Sequence, residues 1–268
     1  MIAIKNISKS FCDDHGTLIK VLNNFSFNIE DSVFYTIIGP NGCGKSTLLN
    51  ILAGIVKQDS GTIEATSSKN SGKGRNALQV GYVWQDYRSS LLPWYNVAEN
   101  VTFPLKIKGV STRQRYEIAS ELFKELGINI NLYKKTYELS GGQQQLLNLA
   151  RNMVIKPDLL LLDEPFSALD QYKSWSMAFQ FEELWLNLKI PVLFVSHDVD
   201  EAIFLADEII LMNRFGQIEK RIKNNLPHKR TKEMLATKTH VNCRNEIIEF
   251  LFSQSGSAED MSSATENL

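Results

Sequence analysis

Apolar residues fall repeatedly into short runs bounded by glycine, polar or charged positions, the pattern of strands covered on both faces. Val33 to Ile38, Val80 to Trp84, Leu159 to Leu162 and Pro191 to Val195 each read as such a strand, and upstream of residue 38 strands alternate with turns. Two other segments repeat their apolar positions at helical spacing. Arg113 to Leu126 is amphipathic, and Leu146, Leu147, Leu149, Ala150 and Met153 line one face of a helix that opens after Ser140.

These elements predict an α/β core with an N-terminal β portion and a parallel sheet, interrupted by a helical subdomain over 87–157 and resuming at Leu159. A helix is expected from near Lys45 to about Ala53. The polar stretch Ser67 to Asn76 reads as a solvent loop. After Ile222 a polar connector leads to a short helix, Asn245 to Phe252, so one domain spans 1–252. The Ser-, Ala- and acid-rich segment 253–268 is expected to be a disordered tail.

Three segments carry the chemistry. Gly39-Pro40-Asn41-Gly42-Cys43-Gly44-Lys45-Ser46-Thr47 fits G-x-x-x-x-G-K-[ST] directly after an apolar strand, the context a phosphate-binding loop requires. Glycines permit the tight turn, and the helix that follows aims N–H groups and its dipole at an anion. Lys45 is placed to reach the β and γ phosphates of a nucleotide, Ser46 to ligate Mg2+, and Thr47 to meet an α-phosphate oxygen. Leu159 to Pro165, LLLLDEP, ends an apolar strand in two carboxylates, where open α/β sheets place ligands. Asp163 is the candidate Mg2+ group, directly or through water, and Glu164 the candidate base that polarises an attacking water. Leu139 to Gln143, LSGGQ, combines an N-cap serine with Gly141 and Gly142, leaving outward N–H groups as a second anion site.

The order of these three segments, with LSGGQ shortly before LLLLDEP, resembles the ATP-binding cassette (ABC) ATPases over residues 1 to about 250. The resemblance implies a P-loop NTPase core with an N-terminal antiparallel β subdomain and an inserted α-helical subdomain. It implies roles for further residues. Gln85 becomes a nucleotide-sensing contact to Mg2+ and water, His197 a γ-phosphate contact that helps orient Glu164, and Ser167 to Asp170 a D-loop. A lone histidine after a strand is ordinarily structural, so His197 draws its role from this context alone. Phe11 stands where the family stacks an aromatic ring on adenine; read by itself, it is equally a core phenylalanine.

The family resemblance also implies a dimer, in which Gln143, Ser140 and the glycines of one chain meet ATP held by a second copy or a homologous partner chain. The run Leu91 to Val101 reads either as ordinary core or as the surface that receives a helix of transmembrane permease subunits. Together with SHDVDEAIFLADEIILM at Ser196 to Met212, it is similar to importer ATPases for nitrate, sulfonate, taurine and bicarbonate. Such importers work with an extracytoplasmic substrate-binding protein, which touches this kind of chain only indirectly. A soluble ABC ATPase acting on DNA or ribosomes, or an exporter subunit, is the alternative, and no heptad array or internal repeat supports the soluble one.

Composition narrows the setting. With 268 residues and 43% apolar content the chain can bury a large core unaided. A formal net charge of −1 argues against sequence-independent nucleic-acid binding. Cys12, Cys43 and Cys243 have no metal-ligand spacing and suit a reducing compartment. With no apolar run long enough to span a bilayer, the expectation is a cytoplasmic chain, peripheral on the inner face of the cell membrane. The thiol of Cys43, near a helix N-terminus, is expected to favour its thiolate. Gln144 and Asn152 depart from the family, which usually has a cation and an alanine there. Loss of that cation could weaken the dimer interface or reflect an unlike partner.

Overall fold

The computed structural model describes residues 1–65, 78–167 and 170–262. The solvent loop expected at Ser67 to Asn76, and Ala168 and Leu169 of the expected D-loop, lie outside those residues. The elements run β1 (Ile2–Cys12), β2 (Leu18–Ile29), β3 (Phe34–Ile38), α1 (Lys45–Leu52), β4 (Ser60–Ala65), β5 (Val80–Val83), α2 (Tyr87–Ser90), α3 (Val97–Val101) and α4 (Phe103–Ile107). They continue with α5 (Thr112–Glu125), α6 (Gly141–Met153), β6 (Leu159–Asp163), α7 (Gln171–Leu188), β7 (Val192–Val195), α8 (Val199–Leu205), β8 (Glu208–Met212), β9 (Ile218–Lys223) and α9 (Lys238–Ser262). Two compact units divide them: Met1–Ser71 with Leu193–Leu268, and Gly72–Val192.

The first unit holds a three-stranded antiparallel sheet ordered β2-β1-β4, with Ile2 opposite both Ile29 and Ala65. It also holds strands in the order β7-β3-β8-β9. β3 and β8 run parallel from Tyr35↔Glu208 to Ile38↔Leu211, and β9 returns antiparallel to β8. Every residue of β3 is buried, and Phe34 meets Phe194 of β7 edge to face at 6.0 Å. Buried runs of this kind explain why these strands were legible as apolar blocks, since each fully buried Ile, Leu or Phe contributes about 1.5–3 kcal/mol.

The chain after β8 braces α8. Asn224 Nδ2 donates to the carbonyls of Ile203 (2.6 Å) and Ala206 (2.8 Å), and the buried Arg230 donates to that of Phe204 (2.6 Å). At the other end, Asp198 accepts from the N–H groups of Asp200 (2.9 Å) and Glu201 (3.0 Å), while Asp200 lies 2.9 Å from His240 Nε2 and 3.1 Å from Arg244 Nε. The helix expected at Asn245 to Phe252 is longer than its apolar residues suggested. It runs from Lys238 to Ser262, so residues 253–262 of the expected tail are helical, while 263–268 lie outside the described residues.

In the second unit β5 and β6 pair in parallel, Val80↔Leu159 to Val83↔Leu162, and the described elements from Tyr87 to Met153 are helical. A buried polar network fastens the segment that follows α2. Asn100 donates through Nδ2 to the carbonyls of Leu92 (3.0 Å), Tyr95 (3.1 Å) and Asn96 (2.9 Å), and its Oδ1 accepts from Leu92 N–H (2.9 Å). Arg151 of α6 donates to the Asn100 carbonyl (2.9 Å) and side-chain oxygen (2.6 Å). Burial pushes the guanidinium down to about 10. The segment presents Trp94 65% exposed, its carbonyl held by Lys135 Nζ at 3.0 Å. The Leu91 to Val101 run is therefore split: Val97, Ala98 and Val101 are core, and Trp94 faces solvent.

Replacing Arg151 with leucine should cost about 3 kcal/mol, because it leaves the Asn100 carbonyl and side-chain oxygen buried without their charged donor. Urea denaturation of the variant checks this. A loss below about 1 kcal/mol would mean that solvent replaces the guanidinium.

Candidate active site

In the first unit, β3 runs straight into the glycine loop. A Cβ on Gly39 would sit 2.3 Å from the Met212 carbonyl oxygen, and Gly44, at φ +101°, would bring one within 2.7 Å of the Val21 carbonyl oxygen. Both positions therefore exclude any side chain. Gly44 caps α1 with no side-chain acceptor, and the first turn of the helix holds no acid. The opening N–H groups thus meet neither a side-chain cap nor a competing carboxylate, which suits phosphate. Pro40 is half-buried; Asn41 and Gly42 are exposed on the loop; Ser46 is exposed and Thr47 half-buried at the helix start. Lys45 is 8% exposed, and its Nζ donates to the carbonyls of Gly39 (2.8 Å) and Pro40 (2.9 Å).

Cys43 corrects an expectation. Its side chain is buried rather than presented to ligand, and burial pushes the thiol up from its ordinary value despite the neighbouring Lys45 cation. Desolvation outweighs the Lys45 cation and the backbone hydrogen bonds, so the group is a buried thiol.

Two further candidates belong to this unit. Phe11, next to last in β1, is 42% exposed, which suits stacking better than core packing, and Lys9 Nζ lies 5.2 Å from its ring centroid. His197 is exposed immediately after β7, between buried Ser196 and Asp198, the cap of α8. Ser196 Oγ accepts from Asp198 N–H at 3.0 Å, which fixes the turn that carries the histidine.

In the second unit, β6 delivers Asp163 and Glu164, both half-buried. Glu164 adopts the left-handed region at φ +46°, and its carbonyl accepts from Ser167 Oγ (2.9 Å) and N–H (3.2 Å). A non-glycine residue held there marks local strain that its surroundings sustain. Gln85 Nε2 donates to Glu164 Oε2 at 3.4 Å, a contact the sequence reading did not include. Tyr82 was not among the sequence candidates, because an aromatic inside a strand reads as core. Its hydroxyl donates to Asp163 Oδ2 at 3.2 Å. Burial first, then the Asp163 charge, push the phenol up, so it remains a donor.

Ser140 caps α6 as the pattern required. Its Oγ accepts from Gln143 N–H at 3.3 Å and its own N–H donates to Gln143 Oε1 at 3.1 Å, a reciprocal capping box. Gln143 therefore serves its own helix start rather than aiming outward. Asp170 likewise caps α7, accepting from Lys173 N–H at 3.0 Å. Ser140, Gly141, Gly142, Gln143, Asp170 and Met177 line one cavity of about 380 Å3. Gln144 donates to the carbonyls of Thr136 (3.0 Å) and Leu139 (3.3 Å), anchoring the turn before the signature. Asn152 accepts from the backbone N–H of Tyr82 at 2.9 Å. Both departures from the family thus have structural partners.

In the first unit, a loop whose Gly39 and Gly44 admit no side chain, with the buried Lys45 and the Ser46 hydroxyl at its end, fits the phosphates of a nucleotide. In the second, the Asp163 carboxylate is a hard oxygen donor of the kind Mg2+ takes. A model of the ABC transporter family matches residues 22–167. The chain belongs to that family. An ABC transporter ATP-binding protein of Methanocaldococcus jannaschii is 35% identical over 230 residues, 85% of this chain and 84% of that protein. Taurine import ATP-binding protein TauB of Escherichia coli is 38% identical over 77% of this chain and 78% of its own length. Aliphatic sulfonates import ATP-binding protein SsuB of Bacillus cereus is 36% identical over 86% and 89%.

Among solved structures, a dimeric post-hydrolysis state of the ATP-binding cassette MJ0796 bound to ADP and Pi is 29% identical, with a TM-score of 0.68, covering 85% of this chain and all of that one. The ABC protein described here is thus an ATP-binding α/β cassette, and its ATP hydrolysis is coupled to transport. Among its described residues no helix is long and apolar enough to cross a membrane.

Proposed function

We propose that this protein is the ATP-hydrolysing subunit of a membrane importer for a small anion or small organic molecule such as taurine, a sulfonate, nitrate or bicarbonate. The observation that carries the import reading is its likeness, over 77% and 86% of its length, to a taurine and an aliphatic sulfonate import ATP-binding protein. Each residue then has a role. Phe11 stacks on adenine. Lys45 and the loop N–H groups hold the phosphates, and Thr47 meets the α-phosphate. Ser46, Asp163 and Gln85 hold Mg2+, which supplies neutralisation of the developing phosphate charge. Glu164 accepts a proton from the attacking water, and Gln85 and His197 orient it.

Ser140, Gly141, Gly142 and Gln143 of a second copy, or of a homologous chain, close on the same nucleotide, with Asp170 at that interface. The side chains of Ser140 and Gln143 are already engaged at their own helix cap, so the backbone N–H groups make most of that contact. Trp94 and its neighbours form the surface for the permease subunits on the inner membrane face. A substrate-binding protein outside the membrane selects the cargo.

Affinity purification of the Glu164→Gln form with ATP from detergent-solubilised host membranes tests this reading. A multi-spanning permease should co-purify. Recovery from the soluble fraction alone, with no membrane protein attached, would instead point to a soluble ABC ATPase.

A further inference from the structure

We infer that Tyr82 is a positioning residue for the metal-binding carboxylate, setting the orientation of Asp163 through its hydroxyl. This rests on the reading of Asp163 as a Mg2+ group. Three restraints converge on the tyrosine. Its ring stacks on Trp84 with centroids 4.2 Å apart and planes 25° from parallel. Its backbone N–H donates to Asn152 Oδ1 at 2.9 Å, and Asn152 in turn donates to the Asn148 carbonyl at 2.9 Å within α6. Parallel pairing of β5 with β6 sets Tyr82 opposite Leu161, two residues before Asp163.

The hydroxyl that meets Asp163 Oδ2 at 3.2 Å is therefore carried on a side chain with little freedom of its own, only 9% exposed. A carboxylate that binds a metal must present one oxygen in a fixed direction. A rigid donor on the other oxygen holds the carboxyl plane, as outer-shell partners of metal ligands do. The arrangement also gives Asn152 a purpose: alanine at that position could not hold the N–H of Tyr82. α6, which begins at the signature, is thereby joined through one side chain to the residue that orients the metal group.

The test is Mn2+ binding, followed by electron paramagnetic resonance at saturating non-hydrolysable ATP analogue, for the unaltered chain, Tyr82→Phe and an Asp163→Asn control. Phenylalanine keeps the ring on Trp84 and the N–H on Asn152, so the fold should persist. Tyr82→Phe should weaken Mn2+ binding about tenfold while analogue affinity measured without metal stays constant. The Mg2+ concentration for half-maximal turnover should rise by a similar factor, with kcat at saturating Mg2+ changed by less than about twofold. A role in packing alone would lower the melting temperature and leave Mn2+ affinity where it was. Unaltered Mn2+ affinity in Tyr82→Phe, with weakened binding in Asp163→Asn, overturns the inference and leaves the metal reading standing. Unaltered affinity in Asp163→Asn overturns the metal reading itself.

Discussion

Glu164→Gln should bind ATP as the unaltered chain does and turn it over at least 100-fold more slowly, a loss of about 2.7 kcal/mol in transition-state stabilisation. The exchange is close to isosteric. A glutamine oxygen can still accept from Gln85 Nε2, which donates to Glu164 Oε2 at 3.4 Å, and its backbone meets the same demand at φ +46°. What disappears is basicity, since an amide cannot take a proton from water. With ATP present and hydrolysis blocked, the proposed dimer should accumulate, which gel filtration at matched ATP and ADP concentrations would register. Turnover within threefold of normal would refute Glu164 as the base. A variant that loses ATP binding as well would show that the carboxylate holds the nucleotide instead.

Lys45→Ala should lower ATP affinity roughly 100-fold by removing a charge-assisted contact to phosphate, about 2.7 kcal/mol. The structure gives the loss a second component. The ammonium props the carbonyls of Gly39 and Pro40 at 2.8 and 2.9 Å, so alanine also loosens the loop that offers its N–H groups to the ligand. ADP should lose less than ATP, because the lysine is assigned to the γ as well as the β phosphate. Titration calorimetry with both nucleotides separates the two effects. Equal losses would confine Lys45 to the β-phosphate or to propping the loop, and unchanged affinity for both would remove it from the site.

The elements most readable in the chain were those whose cause is local. β3, β6 and β7 are buried throughout or nearly so, and each appears as a mainly apolar block, with Thr36 in β3 and the terminal Asp163 of β6 as the polar exceptions. Ser140 was recognisable as a cap because capping depends on residues three positions apart, and the capping box with Gln143 follows the same rule. Gly39 and Gly44 are glycines because of contacts with Met212 and Val21, far along the chain, yet their spacing announced them. Long-range pairs left no such trace. Arg151 and Asn100 meet across 51 positions, and Tyr82 and Asp163 across 81, so each looked like an ordinary surface cation or core aromatic. The burial of Cys43 was also hidden, since proximity to a helix start argues for a thiolate until packing shows that desolvation dominates. In α9, composition suggested disorder from Ser253 onward, whereas the helix continues through Ser262.

The bracing of α8 has a practical meaning for anyone shortening this chain. The stretch matched by the family model stops at residue 167, and an engineer seeking a minimal cassette would be tempted to cut soon after β9. A chain ended at Lys223 would strip Asn224 from the Ile203 and Ala206 carbonyls, Arg230 from that of Phe204, and His240 from Asp200. The seven-residue helix that follows His197 would then be left with few of its anchors. Purification tags and fluorescent fusions are therefore better attached beyond Arg244 than used to replace what precedes it.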